Sequence, residues 1–382
     1  MAVLKDFLRK TIYSFLSYMP GKKVILFESV PDYADNTKAV FDEMVRREIY
    51  KSYDLVWVLH ADNPPENFSP YARHISFKHN NCKARCKQFI LNAKAKCMIC
   101  CNGFLLPVRK EQKSFFLSHG TPIKSVRNYY TVPRAIDYVF TASEGTNSVV
   151  AYEFDVDPRK LVPLGFPRND VLTTNTTDIH ALFDNNFSKI IVWYPTYRQH
   201  KNGLQTESKS TLPLLDSIED ATILNEYAKE NSTLLVVKPH FAQNTAYLKT
   251  HKLSNILFID DQFYQQHSLS SYEFIAGCDA LITDYSSVYF DYLLCDKPMG
   301  AVLTDIEEYK KNPGFAIDVD YYLKGAERIN SIGDFICFIR MIASGEDRLK
   351  QERNEICEWA NIARDRNNTK RVVDFIVGKA NI

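Results

Sequence analysis

The stretch DALITDYSSVYFDYLLCDKP, residues 279–298, decides how the chain is read. Residues 279–283 form an apolar run of strand length, Asp284 and Tyr285 turn the chain, and residues 286–294 repeat apolar side chains at helical spacing. The order is strand, tight turn, helix N-terminus. Such a terminus carries unpaired backbone N–H groups and a partial positive charge, which suits a phosphate, and Ser286 and Ser287 add hydroxyl donors there. Asp291 follows Ser287 by about one turn on the same face, where a carboxylate would accept bonds from a ribose or polyol hydroxyl. A plain N-cap serine pair on an ordinary helix fits the same residues.

Outward from this stretch, apolar runs recur at 23–28 (KVILFE), 53–59 (YDLVWVL), 95–101, 114–118, 137–142 (DYVFTA) and 161–165, with helical periodicity at 37–50. Alternation of this kind predicts a parallel α/β sheet. Residues 173–189 are polar, rich in Asn and Thr and short of apolar periodicity, which reads as an interdomain connection. The pattern restarts at 189–193, 233–237, 255–258 and 280–283, giving a second α/β unit, and helical sequence from about 332 closes the chain. A chain of 382 residues is too long for one ordinary core. The expected division is an N-terminal helix at 1–20, a first Rossmann-like domain at 21–172, a linker at 173–188 and a second such domain at 189–382, with the last helices crossing back.

Composition narrows the function classes. The 47 basic and 46 acidic residues balance to +1, which excludes a polyanion held by bulk charge, and no aromatic-laced basic stripe supports nucleic-acid binding. Cys82, Cys86, Cys97 and Cys100 have spacings that invite a zinc site, but 95–103 (AKCMICCNG) is strand-like and would point alternate residues to opposite faces. Buried free thiols are the default reading. No run of 18 apolar residues exists. Leu4, Leu8, Ile12, Phe15 and Met19 mark one helical face, flanked by Phe7 and Leu16 and followed by Lys22 and Lys23. Such a helix lies on an anionic membrane surface or packs on its own domain.

The phosphate-binding loop G-x-x-x-x-G-K-[ST], the dinucleotide fingerprint G-x-G-x-x-G after a strand and the zinc motif HExxH are all missing. What remains is a set of clusters placed just after strands, where an open parallel sheet binds its ligands. His119 in SHGTPIK (118–124) sits where a strand ends, with Gly120 allowing close backbone approach and Pro122 suiting the first turn of a helix. An imidazole there takes a proton near neutral pH, or is a buried histidine bonded to a carbonyl. In GFPRND (165–170), Arg168 would hold a phosphate, while Asn169 and Asp170 would cap a following helix. Tyr194-Pro195-Thr196-Tyr197-Arg198 follows IIVW, and Lys238-Pro239-His240 follows TLLVV. Arg198, Lys238 and His240, with the Ser286 turn, would form a compact anion site.

The ordered set HGTPIK, GFPRND, PTYR, KPH and TDYSSVYFD, with Lys297-Pro298 after it and weaker agreement at 305–318 (DIEEYKKNPGFAID), resembles the CDP-glycerol glycerophosphotransferase family of teichoic acid and related polymer synthesis. The resemblance implies an α/β, GT-B-like fold of two Rossmann-like domains with parallel sheets facing across a cleft. It implies transfer of a polyol phosphate from a CDP-polyol to a hydroxyl of a lipid-linked or polymer acceptor, with release of CMP and without an obligatory metal or other cofactor. By the same resemblance His119 is the base on the acceptor hydroxyl and His240 the second catalytic histidine, on the donor pyrophosphate with Arg198, Ser286 and Ser287. Asp291 and Thr283 are further substrate contacts, and Lys124, Arg168 and Lys238 lesser ones. The expected location is peripheral, at the cytoplasmic face of the membrane. Glycerol or ribitol donor, primer or polymer product, and self-association stay open. A nucleotide-sugar glycosyltransferase and a non-catalytic membrane scaffold are the competing readings.

Overall fold

The computed structural model describes residues 11, 15, 18, 23–76, 82–174, 177–183, 187–196, 212–239, 248, 251 and 253–382, with the side chains of 82–86 outside that description. The chain divides into two units: residues 1–120, 131–170 and 365–382 form the first, and residues 121–130 and 171–364 the second.

In the first unit, β1 (Lys23–Glu28), β2 (Tyr53–Leu59), β3 (Ala72–Ser76), β4 (Ala95–Cys100), β5 (Lys113–Phe116), β6 (Tyr138–Thr141) and β7 (Leu161–Pro163) form a sheet of order β3-β2-β1-β4-β5-β6-β7. Every pairing is parallel. Strands covered on both faces need continuous apolar runs, and β1 is buried from Val24 onward. Phe27 stacks on Trp57, its registered neighbour on β2, at 5.5 Å between ring centroids, and Phe41 of the helix Asp35–Arg46 meets both rings edge-on. Val372, Val373 and Ile376 of the final helix, Asn368–Ala380, enter the same core. Asp170 fixes the start of that helix, accepting the N–H groups of Asn368 at 2.9 Å and Thr369 at 2.8 Å. The capping role read for Asp170 thus applies to a helix almost two hundred residues further along the chain.

In the second unit, β8 (Lys189–Trp193), β9 (Thr233–Val237), β10 (Ile256–Phe258), β11 (Ala280–Thr283), β12 (Met299–Val302) and β13 (Glu327–Ile329) form a parallel sheet of order β10-β9-β8-β11-β12-β13. Its core takes Leu224 and Ala228 from the helix Ile218–Glu230 and Phe335, Phe338 and Ile342 from the helix Ile332–Ser344. Side-chain caps set these helix starts: Ser217 accepts from Asp220, Ser331 from Asp334, and Ser270 with Glu273 closes a capping box.

The division differs from the expected one at its boundary, in the linker segment and at residues 121–130. It falls between Asp170 and Val171, and the segment expected to be a linker packs into the second unit. There the His180 ring bonds the Phe187 carbonyl and the Asp279 carboxylate, both at 3.1 Å, so local polarity anchors a stretch that lacks apolar periodicity. Residues 121–130 also belong to the second unit: Lys124 bridges Phe315, Ser125 donates to the Gly314 carbonyl and Ala316 donates to that of Ile123. Of the terminal helices, Lys350–Ala360 stays with the second unit and Asn368–Ala380 joins the first. Leu4, Leu8, Ile12 and Met19 of the expected N-terminal helix lie outside the described residues, while Phe15 and Tyr18 are exposed. Among the described residues no helix is long and apolar enough to cross a membrane.

Candidate active site

Because each sheet is parallel, the loops that leave its strands share one carboxyl edge. In the second unit the chain turns from β8 towards β9 on one side and lies beside β11 on the other, so the point where strand order reverses falls between β8 and β11. The loops at that point are Tyr194-Pro195-Thr196 and Asp284-Tyr285-Ser286-Ser287. Asp284, fully buried, joins them. Its carboxylate accepts the Thr196 N–H at 2.9 Å, the Thr196 hydroxyl, and its own neighbour's N–H, that of Tyr285, at 2.6 Å. A buried carboxylate is tolerated only when its lone pairs are met in this way. Tyr285 is fixed in turn by its O–H bond to Asp305, at 2.9 Å, and by stacking on Tyr309 at 3.9 Å between ring centroids. From the sequence alone Asp284 reads as a turn residue.

The strand, turn and helix of the opening stretch are present as β11, residues 284–287 and the short helix Val288–Tyr292. Ser286 and Ser287 are half-buried, and the Ser287 hydroxyl makes no capping bond to that helix. Simple N-capping therefore does not account for it. Two other residues of the stretch face inward. Thr283 is fully buried and donates to the Tyr194 carbonyl at 3.0 Å, and Asp291, 1% exposed, accepts the Tyr272 O–H at 2.6 Å. Asp291 and Thr283, expected as substrate contacts, each brace a neighbouring element through these bonds. Lys238, half-buried after β9, lies 3.0 Å from Asp261. Arg198 and His240 lie outside the described residues.

In the first unit His119 follows β5 and is exposed between buried Ser118 and Gly120. Ser118 has φ +58° and Gly120 φ +135°, backbone conformations that fix the turn and at Gly120 call for glycine. Two side chains hold it. Asn36 donates to the Ser118 carbonyl at 2.8 Å while its own oxygen takes the Arg168 N–H at 3.0 Å. Arg168 donates from Nη2 to the His119 carbonyl and from Nη1 to Asp35, both at 2.7 Å. The Arg168 guanidinium, for which a phosphate contact is expected, is shared here between a carboxylate and a carbonyl, a fork that positions the histidine turn. Lys124, half-buried, sits on the bridge to Phe315 in the second unit. Cys97 and Cys100 are buried, and burial pushes both thiols up to about 12. Cys82 and Cys86, the other two of the expected cysteine set, have no described side chains.

Residues 11–378 match the family described as CDP-glycerol:poly(glycerophosphate) glycerophosphotransferase. The chain belongs to this family. Among glycerophosphotransferase relatives, it is 25% identical over 377 residues to the teichoic acid poly(glycerol phosphate) polymerase of Bacillus subtilis (strain 168), covering 89% of this chain and 47% of that protein. It therefore spans about half the length of that relative. It is 23% identical over 358 residues to the teichoic acid glycerol-phosphate transferase of Staphylococcus aureus (strain NCTC 8325 / PS 47), covering 82% of this chain and 83% of that one. Its fold is that of the wall teichoic acid polymerase TagF, with a TM-score of 0.71 at 19% identity over 100% of this chain and 95% of that chain. The α/β, GT-B-like class expected for the family is thus the class of this chain.

Proposed function

We propose that the protein transfers glycerol phosphate from CDP-glycerol to a hydroxyl of a lipid-linked or polymer acceptor in the synthesis of teichoic acid or a related cell-surface polymer. In this reaction the acceptor oxygen attacks the phosphorus that carries glycerol. A P–O bond of the pyrophosphate breaks, its electron pair leaves with CMP, and the hydroxyl proton passes to His119. Ser286 and Ser287, with Lys238, Arg198 and His240, are assigned to the donor pyrophosphate, where cations and hydroxyl donors stabilise the charge that develops on CMP. Arg168, Thr283, Asp284 and Asp291 are assigned to positioning. No metal or other cofactor is required in this account.

The observation that carries the proposal is the tie between Thr196, after β8, and Asp284, after β11, at the switch point of the sheet, in a chain that matches the family from residue 11 to 378. Peripheral binding to a membrane surface accompanies it, supported by the exposure of Phe15 and Tyr18 beside a basic segment. Release of CMP is the test. With a glycerol phosphate acceptor the protein should release CMP from CDP-glycerol faster than from CDP-ribitol, leave UDP-sugars intact and keep its rate in EDTA. Faster turnover of CDP-ribitol would reassign the polyol, and turnover of a UDP-sugar alone would overturn the proposal.

A further inference from the structure

The first unit has a switch point of its own, between β1 and β4, and it too is bridged by a carboxylate. Glu28, the last residue of β1, is 1% exposed and accepts the Gly103 N–H on both oxygens at 2.9 Å. His60, the first residue after β2, places Nε2 2.9 Å from Glu28 Oε1 and leaves 45% of its side chain exposed. The approach is close enough to specify the residue at 103: a Cβ there would lie 2.7 Å from Glu28 Oε1. Asp32 fixes the backbone beneath the ring, accepting the N–H groups of His60 and Ala61 at 2.8 to 3.0 Å.

Burying a carboxylate at a strand end is costly, and an apolar residue would close the sheet equally well. What Glu28 supplies instead is an imidazole held in one orientation and half open at the sheet edge. Glu28 and Asp32 stand beside the ring and its backbone, and the Arg168 guanidinium is committed to Asp35 and the His119 carbonyl. An imidazole and a carboxylate presented together offer a donor and an acceptor of the kind hydroxyl groups use.

We propose that the His60–Glu28 pair is a binding contact for the hydroxyls of the polyol acceptor, a site separate from the base His119. This deepens the transferase reading and rests on it. The test uses the full chain, CDP-glycerol as donor and a short oligo(glycerol phosphate) as acceptor probe. His60→Ala should raise the acceptor KM about tenfold, the scale of a lost hydrogen bond, with the donor KM and the melting temperature unchanged. His60→Gln, which keeps a donor towards Glu28, should recover part of the loss, and Gly103→Ala, which displaces the Glu28 carboxylate, should reproduce it. An unchanged acceptor KM in His60→Ala, or equal rises in donor and acceptor KM, overturns the proposal. Titrating the oligomer alone into the wild type and His60→Ala separates this from the transferase reading: weaker binding by the variant supports the contact whatever the turnover, and equal binding overturns it.

Discussion

Asp284 and Thr196 are joined twice, backbone N–H to carboxylate at 2.9 Å and hydroxyl to carboxylate, which ties the start of the segment after β8 to the turn after β11. The serines proposed for the donor and the segment that begins at Tyr194 are therefore held together by the buried Asp284, alongside the Thr283 bond to the Tyr194 carbonyl.

Asp284→Ala should free the two loops and leave the Thr196 N–H without its acceptor, at a stability cost of about 1–3 kcal/mol. CMP release should fall by more than about tenfold, the effect of a small displacement of catalytic groups. Asp284→Asn keeps one acceptor oxygen and should fall between that variant and the wild type. Thermal melting and CMP release read the two effects, and wild-type values of both in Asp284→Ala would refute the loop-coupling role.

Arg168 donates to the carbonyl of His119, so it bears on the proposed chemistry by positioning that turn. Arg168→Lys should lose the two-pronged contact to Asp35 and that carbonyl while keeping a positive charge. The expected result is a lower kcat with an unchanged KM for CDP-glycerol. A raised donor KM with unchanged kcat would return Arg168 to the phosphate-binding role first expected of it.

The buried thiols give a prediction in pH. Burial raises Cys97 and Cys100 from an ordinary value near 9 to about 12, so between these values the folded chain keeps protons that the unfolded chain loses. Their contribution to stability is intact below about pH 9 and declines as pH climbs towards 12. At pH 8 iodoacetamide should label exposed Cys337 in the native protein and spare Cys97 and Cys100 until the chain is unfolded, as peptide mapping would show. Rapid native labelling of Cys97 or Cys100 would contradict this packing.

Much of the architecture was legible because parallel strands buried on both faces leave unbroken apolar runs. β1, β2, β8, β9 and β11 fall where KVILFE, YDLVWVL, KIIVW, TLLVV and ALIT stand. β3 escaped because ARHIS is a half-exposed edge strand carrying Arg73 and His74, and β12 and β13 because MGAV and ERI are too short to show a period. The loops of the candidate site were legible as polar clusters after strands. The direction of each side chain was not: spacing alone cannot tell a guanidinium aimed at a ligand from one aimed at a carbonyl, and Arg168, Thr283 and Asp291 turn inward. Glu28 and Asp284 went unread for a related reason. A carboxylate ending an apolar strand looks like a turn residue until the adjacent strand, far along the sequence, brings its N–H group to meet it.

The central claim is that a glycerol phosphate unit passes to an acceptor hydroxyl whose proton His119 removes. The direct measurement is the rate of CMP release by His119→Ala with CDP-glycerol and acceptor both saturating. His119 is exposed, so the variant should melt with the wild type, and its turnover should drop by about 10²-fold or more. A folded His119→Ala protein that releases CMP at close to the wild-type rate would contradict the account.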